Sequence, residues 1–116
     1  MKLIIAIIRP ERLEVVQAAL EAVDVGLMTV SDVRGCGRQR GYTEQFRGGK
    51  IPIRLVSKVK LEIAVNEQFV KPTVNAILEA AKSDGDRIGD GKIFVLPLDE
   101  VYRIRTGETG SVAIGP

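Results

Sequence analysis

Leu3-Ile4-Ile5-Ala6-Ile7-Ile8 is apolar at every position. A strand with one face in water alternates polar and apolar residues, so this unbroken run predicts a strand buried on both faces. Arg9-Pro10-Glu11 ends the strand and starts a helix, proline being suited to a first helical turn and glutamate to the positive end of the helix. Leu13, Val16, Leu20 and Val23 follow at helical spacing and form one apolar stripe. Gly26 closes the connection, and a second strand is predicted over 27–33, with Met28 and Val30 on one side and Thr29 and Ser31 on the other.

From Gly35 the periodicity breaks, and residues 37–54 carry Gly37, Gly41, Gly48, Gly49 and Pro52 with no clean pattern. A strand resumes over 58–65, alternating at first. Helical spacing returns over 69–81, where Val70, Val74, Ile77 and Ala81 share a face and Pro72 has to lie near the first turn. A Gly- and Asp-rich connection over 83–91 leads to a strand over 93–96, then to a short strand over 102–106 and a polar, glycine-containing tail. The order β-α-β-β-α-β, with a small extra strand, is the split βαβ plan of ferredoxin-like α+β domains. Both helices then cover one sheet face. The apolar first strand predicts that the other face is covered as well, in so small a chain by a second copy of itself.

The 116 residues make one domain, 1–116, with 45% hydrophobic and 28% charged residues. No apolar stretch reaches 18 residues and no leader pattern opens the chain, so the reading is a cytoplasmic protein without a membrane span. The single cysteine, Cys36, excludes an internal disulfide and reads as a pocket-wall or core residue. Histidine is absent, which excludes Ser-His-Asp and Cys-His enzymes and argues against structural zinc. A net charge of +2 does not by itself imply nucleic-acid binding.

Candidate chemistry sits in four places. Gly89-Asp90-Gly91-Lys92 offers close backbone approach, N–H groups and a point charge to a phosphate. It is not a Walker A loop, because Asp86 stands where that motif has its first glycine and Ile93 where it has Ser or Thr. A plain turn suits it equally. Arg103 and Arg105, two apart on a strand, would share one face about 7 Å apart and reach one polyphosphate, with Ile104 toward the core; a solvated strand face is the alternative. Gly35-Cys36-Gly37-Arg38-Gln39 opens the long loop, as a second glycine turn or as a ligand wall. The loop itself exceeds the roughly 15 residues beyond which structureless segments are usually functional or disordered. Between Gly37 and Lys58 it carries Arg38, Arg40, Arg47, Lys50, Arg54 and Lys58 against Glu44 alone.

Taken in order, these blocks resemble the PII signal-transduction family from Met1 to about Ile114. The most specific matches are Ile88-Gly89-Asp90-Gly91-Lys92-Ile93-Phe94-Val95 and Tyr102-Arg103-Ile104-Arg105-Thr106-Gly107-Glu108, which resemble the family's C-terminal signature. Gly35-Cys36-Gly37-Arg38-Gln39-Arg40-Gly41 and Lys58-Val59-Lys60-Leu61-Glu62-Ile63 match the two flanks of its T-loop. The resemblance implies a homotrimer with nucleotide sites in the clefts between subunits, a T-loop at about 37–55 and a phosphate-binding B-loop at about 83–92. Thr29, Gly37, Arg38 and Ala64 would line the ATP or ADP pocket, Gly89, Asp90, Gly91, Lys92, Arg103 and Arg105 would hold the phosphates, and Ile104 would count among the nucleotide-binding residues. 2-Oxoglutarate would bind beside ATP at Gln39, Gly41 and Lys58, with Gln39 also a ligand of a bridging Mg²⁺. A dianion beside ATP needs such a divalent cation and a lysine against repulsion.

The implied action is a ligand-controlled switch, with at most slow ATP hydrolysis. The loop would dock on an ammonium transporter, where Arg47 matches the family's inserting arginine, or on enzymes and regulators of nitrogen assimilation. The chain departs from the family at the loop tip. Ile51 stands at the tyrosine modified in many bacterial relatives and Gly49 at a serine phosphorylated in another branch, so signalling without covalent modification is expected. A two-residue lengthening near 84–86 alters the numbering of the later motifs. Three other readings compete: a PII-like nucleotide sensor with a different small-molecule effector and partner, an RNA-recognition module, and a structural or metal-tolerance trimer of related shape. The second lacks the aromatic run on its central strands that base stacking requires.

Overall fold

The computed structural model describes residues 1–36, 54–85 and 88–115. The opening run forms β1 (Lys2–Ile8), and its two faces differ: Ile4, Ala6 and Ile8 are fully buried, while Leu3, Ile5 and Ile7 are half-buried. A single 3₁₀ turn, Pro10–Arg12, starts with the expected proline and runs into α1 (Leu13–Glu21), whose Val16 and Leu20 are buried. The helix stops where Asp24 takes a left-handed conformation (φ 63°) and the Val25 N–H returns to the Leu20 carbonyl at 2.9 Å. β2 is Thr29–Gly35, two residues later than predicted. β3 is Val56–Val65, and another 3₁₀ turn, Glu67–Phe69, leads into α2 (Val70–Ala80) with Pro72 in the first turn as required. β4 is Gly91–Pro97.

The strands form one antiparallel sheet in the order β2-β3-β1-β4, with Ile4 opposite Ile63 on one side and Val95 on the other. Both helices lie on one face. Ile4, Ala6, Ile8, Val59, Leu61, Ile63 and Val65 from the sheet meet Val16, Leu20, Ile77 and Ala80 from the helices in a single core. Arg12 ties the helices together, its Nε and Nη2 donating to the Ala80 carbonyl at 3.0 and 2.8 Å at the end of α2. The opposite face runs in rows set by the register: Ser31, Lys60, Ile7, Lys92; then Thr29, Glu62, Ile5, Phe94; then Ala64, Leu3, Leu96. Neither α1 nor α2 lies on this face, and Phe94 and Leu96 are 48% and 40% exposed on it. β1 is therefore apolar on both sides, while among the described residues the two long helices cover only the side of Ile4, Ala6 and Ile8.

The expected strand over 102–106 is instead a reversing turn. Tyr102 bridges Thr109, the Arg103 N–H donates to the Glu108 carbonyl, and the Gly107 N–H donates to the Arg103 carbonyl, both at 2.8 Å, with Gly107 at φ +73°. Ile104 does not face the core. It is 102% exposed at the tip, because the alternation of Tyr-Arg-Ile-Arg is cut short by the left-handed glycine that follows it. The tail forms a short helix, α3 (Ser111–Ile114), fastened to the start of the second 3₁₀ turn by Asn66 Nδ2, which donates to the Ser111 and Gly115 carbonyls, each at 3.2 Å. Among the described residues no helix is long and apolar enough to cross a membrane.

Candidate functional site

The register of β1 decides what meets the loop over 83–92. Ile8 pairs with Val59 and with Gly91, so one step further Arg9 stands between Lys58 and Asp90. Its guanidinium reaches the loop directly, with Nε donating to Asp90 Oδ1 at 3.1 Å and Nη2 to the Ile88 carbonyl, and its side chain is only 14% exposed. From the other side Lys58 Nζ donates to the Gly89 carbonyl at 2.6 Å. Gly89 holds φ +97°, and a Cβ there would lie 3.3 Å from Arg9 Nη2 and 3.6 Å from Lys58 Nζ. Two cationic heads thus converge on one glycine. Lys92 leaves the same loop on the open sheet face, in the row of Ile7 and Lys60.

Asp90 is turned inward to a different task. Its Oδ1 accepts from Ser83 Oγ at 2.6 Å as well as from Arg9, and its Oδ2 accepts from the Ser83 N–H at 3.1 Å. The Ser83 hydroxyl is the main cause that lowers its pKa from 3.8 to about 2, against a smaller opposing effect of burial and with help from the Ser83 amide and Arg9. The carboxylate staples the two ends of the loop together, and its charge is balanced within the chain. Asp90, Gly91 and Lys92 also line one end of a groove of about 530 Å³ between α2 and β4, whose other walls include Val74, Leu78, Ile93 and Val95.

The remaining predicted residues divide into groups. Thr29 and Ala64 lie in neighbouring rows of the open face, one row and two rows from Lys92, and Ala64 also lines a pocket of about 100 Å³ with Leu27, Phe69 and Ile114. Lys58 lines a separate cavity of about 430 Å³ with Pro10, Asp32, Val33, Arg34 and Ser57, beside the ends of β2 and β3. Arg103 and Arg105 project from the 102–109 turn rather than from a strand. None of the described hydrogen bonds or ion pairs joins that turn to the 83–92 loop. Gly37, Arg38, Gln39, Gly41 and Arg47, with the loop-tip positions Gly49 and Ile51, fall outside the described residues. Among the described residues no group of three or more His, Cys, Asp or Glu could hold a metal ion.

Sequence reasoning missed Arg9 and Ser83. Arg9 looked like a strand end. Only the pairing of β1 with both β3 and β4 reveals that the residue after Ile8 faces the loop.

The family described as nitrogen regulatory protein P-II matches residues 1–108 of this chain. The chain belongs to the P-II family. Nitrogen regulatory protein GlnK1 of Methanosarcina mazei is 51% identical over 114 residues, covering 98% of this chain and 97% of its own. Nitrogen regulatory protein P-II 2 of Methanothermobacter thermautotrophicus is 54% identical with the same coverage. A nitrogen regulatory protein P-II of Synechocystis is 47% identical, covering 98% of this chain and 100% of its own. The matched span contains the Arg9, Lys58 and 83–92 elements and the arginine turn, so the geometry above is that of a P-II signalling domain. The names of these relatives are those of regulators, not of enzymes.

Proposed function

We propose that this P-II chain senses nitrogen, carbon and energy status by binding ATP or ADP, and 2-oxoglutarate together with Mg²⁺-ATP, and that it acts on partner proteins through the 37–55 loop. The observation that carries the reading is the convergence of Arg9 and Lys58 on Gly89 beside Lys92, with the Asp90 carboxylate already paired with Arg9 and Ser83. Such a place attracts an anion with several oxygens, and the left-handed glycines let its backbone approach them. Thr29 and Ala64 on the adjoining sheet face suit the uncharged part of a nucleotide. Lys58 is the candidate partner of the 2-oxoglutarate carboxylate, and Gln39 with Gly41 would complete that site and hold Mg²⁺. When bound, Mg²⁺ supplies charge neutralisation between the two anions.

The same reading makes the nucleotide site shared between copies in a homotrimer. None of the described hydrogen bonds or ion pairs joins the Arg103 turn to the Lys92 loop within one chain, and the open face of the sheet carries Leu3, Ile5, Phe94 and Leu96 with neither α1 nor α2 over them. A second copy would cover that face and bring Arg103, Ile104 and Arg105 to a neighbour's phosphates. The protein is then a cytoplasmic switch rather than an enzyme, and its partners would be an ammonium transporter, contacted through Arg47, or nitrogen-assimilation proteins.

Isothermal calorimetry tests this. ATP and ADP should bind, and 2-oxoglutarate should tighten ATP only when Mg²⁺ is present, each ligand strengthening the other by the same factor. Lys58→Ala should abolish that synergy. Charge-assisted phosphate contacts are worth about 1.5–3 kcal/mol, so Arg103→Ala should weaken ATP about tenfold or more. A chain that takes up neither nucleotide contradicts the proposal.

A further inference from the structure

We infer that Glu108 is the positioning residue for Arg103, and that the 102–109 turn exists to orient that guanidinium before a phosphate arrives. The inference rests on the nucleotide-binding reading above. Arg103 Nη1 meets Glu108 Oε1 at 3.0 Å, and Nη2 donates to the Val112 carbonyl at 3.1 Å. The carboxylate is itself held, since the same Oε1 accepts from Thr106 Oγ1 at 2.9 Å and that hydroxyl accepts the Glu108 N–H at 3.2 Å. The backbone closes the arrangement through the Arg103 N–H to Glu108 carbonyl and Gly107 N–H to Arg103 carbonyl bonds.

Stability alone does not account for this construction. Both side chains are about two-fifths exposed, and an ion pair in water contributes little to folding. What the contacts do achieve is orientation. An arginine has five N–H donors on a long, rotamer-rich stem, and two donors fixed at Nη1 and Nη2 set the plane of the fork while others remain for an incoming anion. The same negative charge opposes an approaching phosphate, so removing Glu108 has two opposed effects, loss of order and loss of repulsion. The paired restraint on Glu108 by Thr106, which a mere counter-ion would not need, points to order as the larger one.

The test is ATP affinity by calorimetry, read as a double-mutant cycle. Glu108→Ala should weaken ATP about fivefold to tenfold, while Glu108→Gln, which keeps the acceptor, should stay within about twofold of the parent. On an Arg103→Ala background, Glu108→Ala should cause no further loss. Thr106→Val, which unfastens the carboxylate but leaves the ion pair, should weaken ATP about twofold on the parent and not at all on Arg103→Ala. It carries the test alone if Glu108→Ala does not fold. Tighter or unchanged binding in Glu108→Ala and Thr106→Val on the parent background, or an equal loss with and without Arg103, overturns the inference. If the parent chain binds no ATP, the nucleotide reading fails and takes this one with it; if the parent binds and the coupling is absent, only the positioning role fails.

Discussion

At Gly91 the choice of residue is dictated by its neighbour across the sheet. It holds φ +109°, and a Cβ on it would lie 1.7 Å from the Ile7 carbonyl oxygen, a distance no relaxation of a side chain can relieve because the obstacle is backbone. The sequence points to Gly91 as a phosphate contact, whereas the structure gives it a prior duty in seating β4 on β1. Gly91→Ala should therefore cost about 3 kcal/mol or more, combining left-handed strain with a parted strand pair. Gly89→Ala meets only the side-chain heads of Arg9 and Lys58 and should cost about 1–3 kcal/mol, the strain alone. Urea unfolding midpoints of the two variants give the comparison. Equal midpoints would show that the β1–β4 register is wrong at Ile8.

On the scale of elements, the 83–92 loop is held by its carboxylate, and this has a pH signature. The folded Asp90 titrates at about 2 against 3.8 unperturbed, so it binds its proton less readily in the native state than when unfolded. Its contribution is present above pH ~4 and is lost as pH falls toward 2. Asp90→Asn should lower the urea midpoint at neutral pH, and the gap from the parent should narrow between about pH 4 and pH 2. A gap that stays constant across that window would exclude the carboxylate staple. The elements differ in how openly the sequence announced them. α1 and α2 were legible because Leu13, Val16, Leu20 and Val70, Val74, Ile77 repeat at helical spacing, and β1 because its apolar run is continuous. The 102–109 turn was hidden by an alternation that mimics a strand, since what reverses it is a backbone angle at Gly107 and a contact between Arg103 and Glu108. α3, four residues long, is too short to show a period. In the site, Gly89 and Lys92 were visible as residue types, whereas Arg9 and Ser83 became visible only through strand register and loop closure.

For the whole molecule the open sheet face sets the expectation. Leu3, Ile5, Phe94 and Leu96 form an apolar surface beside Lys60, Glu62 and Lys92, the mix of apolar centre and polar border found where copies associate. Light scattering at micromolar concentration should give a mass about three times the 12.6 kDa of one chain, and Ile5→Asp should shift it toward the single chain. A parent mass near 12.6 kDa would remove the shared-site arrangement altogether. The strand order has a consequence of another kind, in time rather than in space. β1 lies in the middle of the sheet, yet its neighbours come late, with Lys2 opposite Val65 on one side and Pro97 on the other. Contacts so distant along the chain form slowly, because the intervening segments must first be brought into place. During synthesis from the N-terminus, the first helix can close on itself within its own few turns, but the apolar strand before it has nothing to pair with until β3 emerges, and is flanked on both edges only after β4. The segment that anchors the finished sheet is thus the one that waits longest, exposed, for its partners.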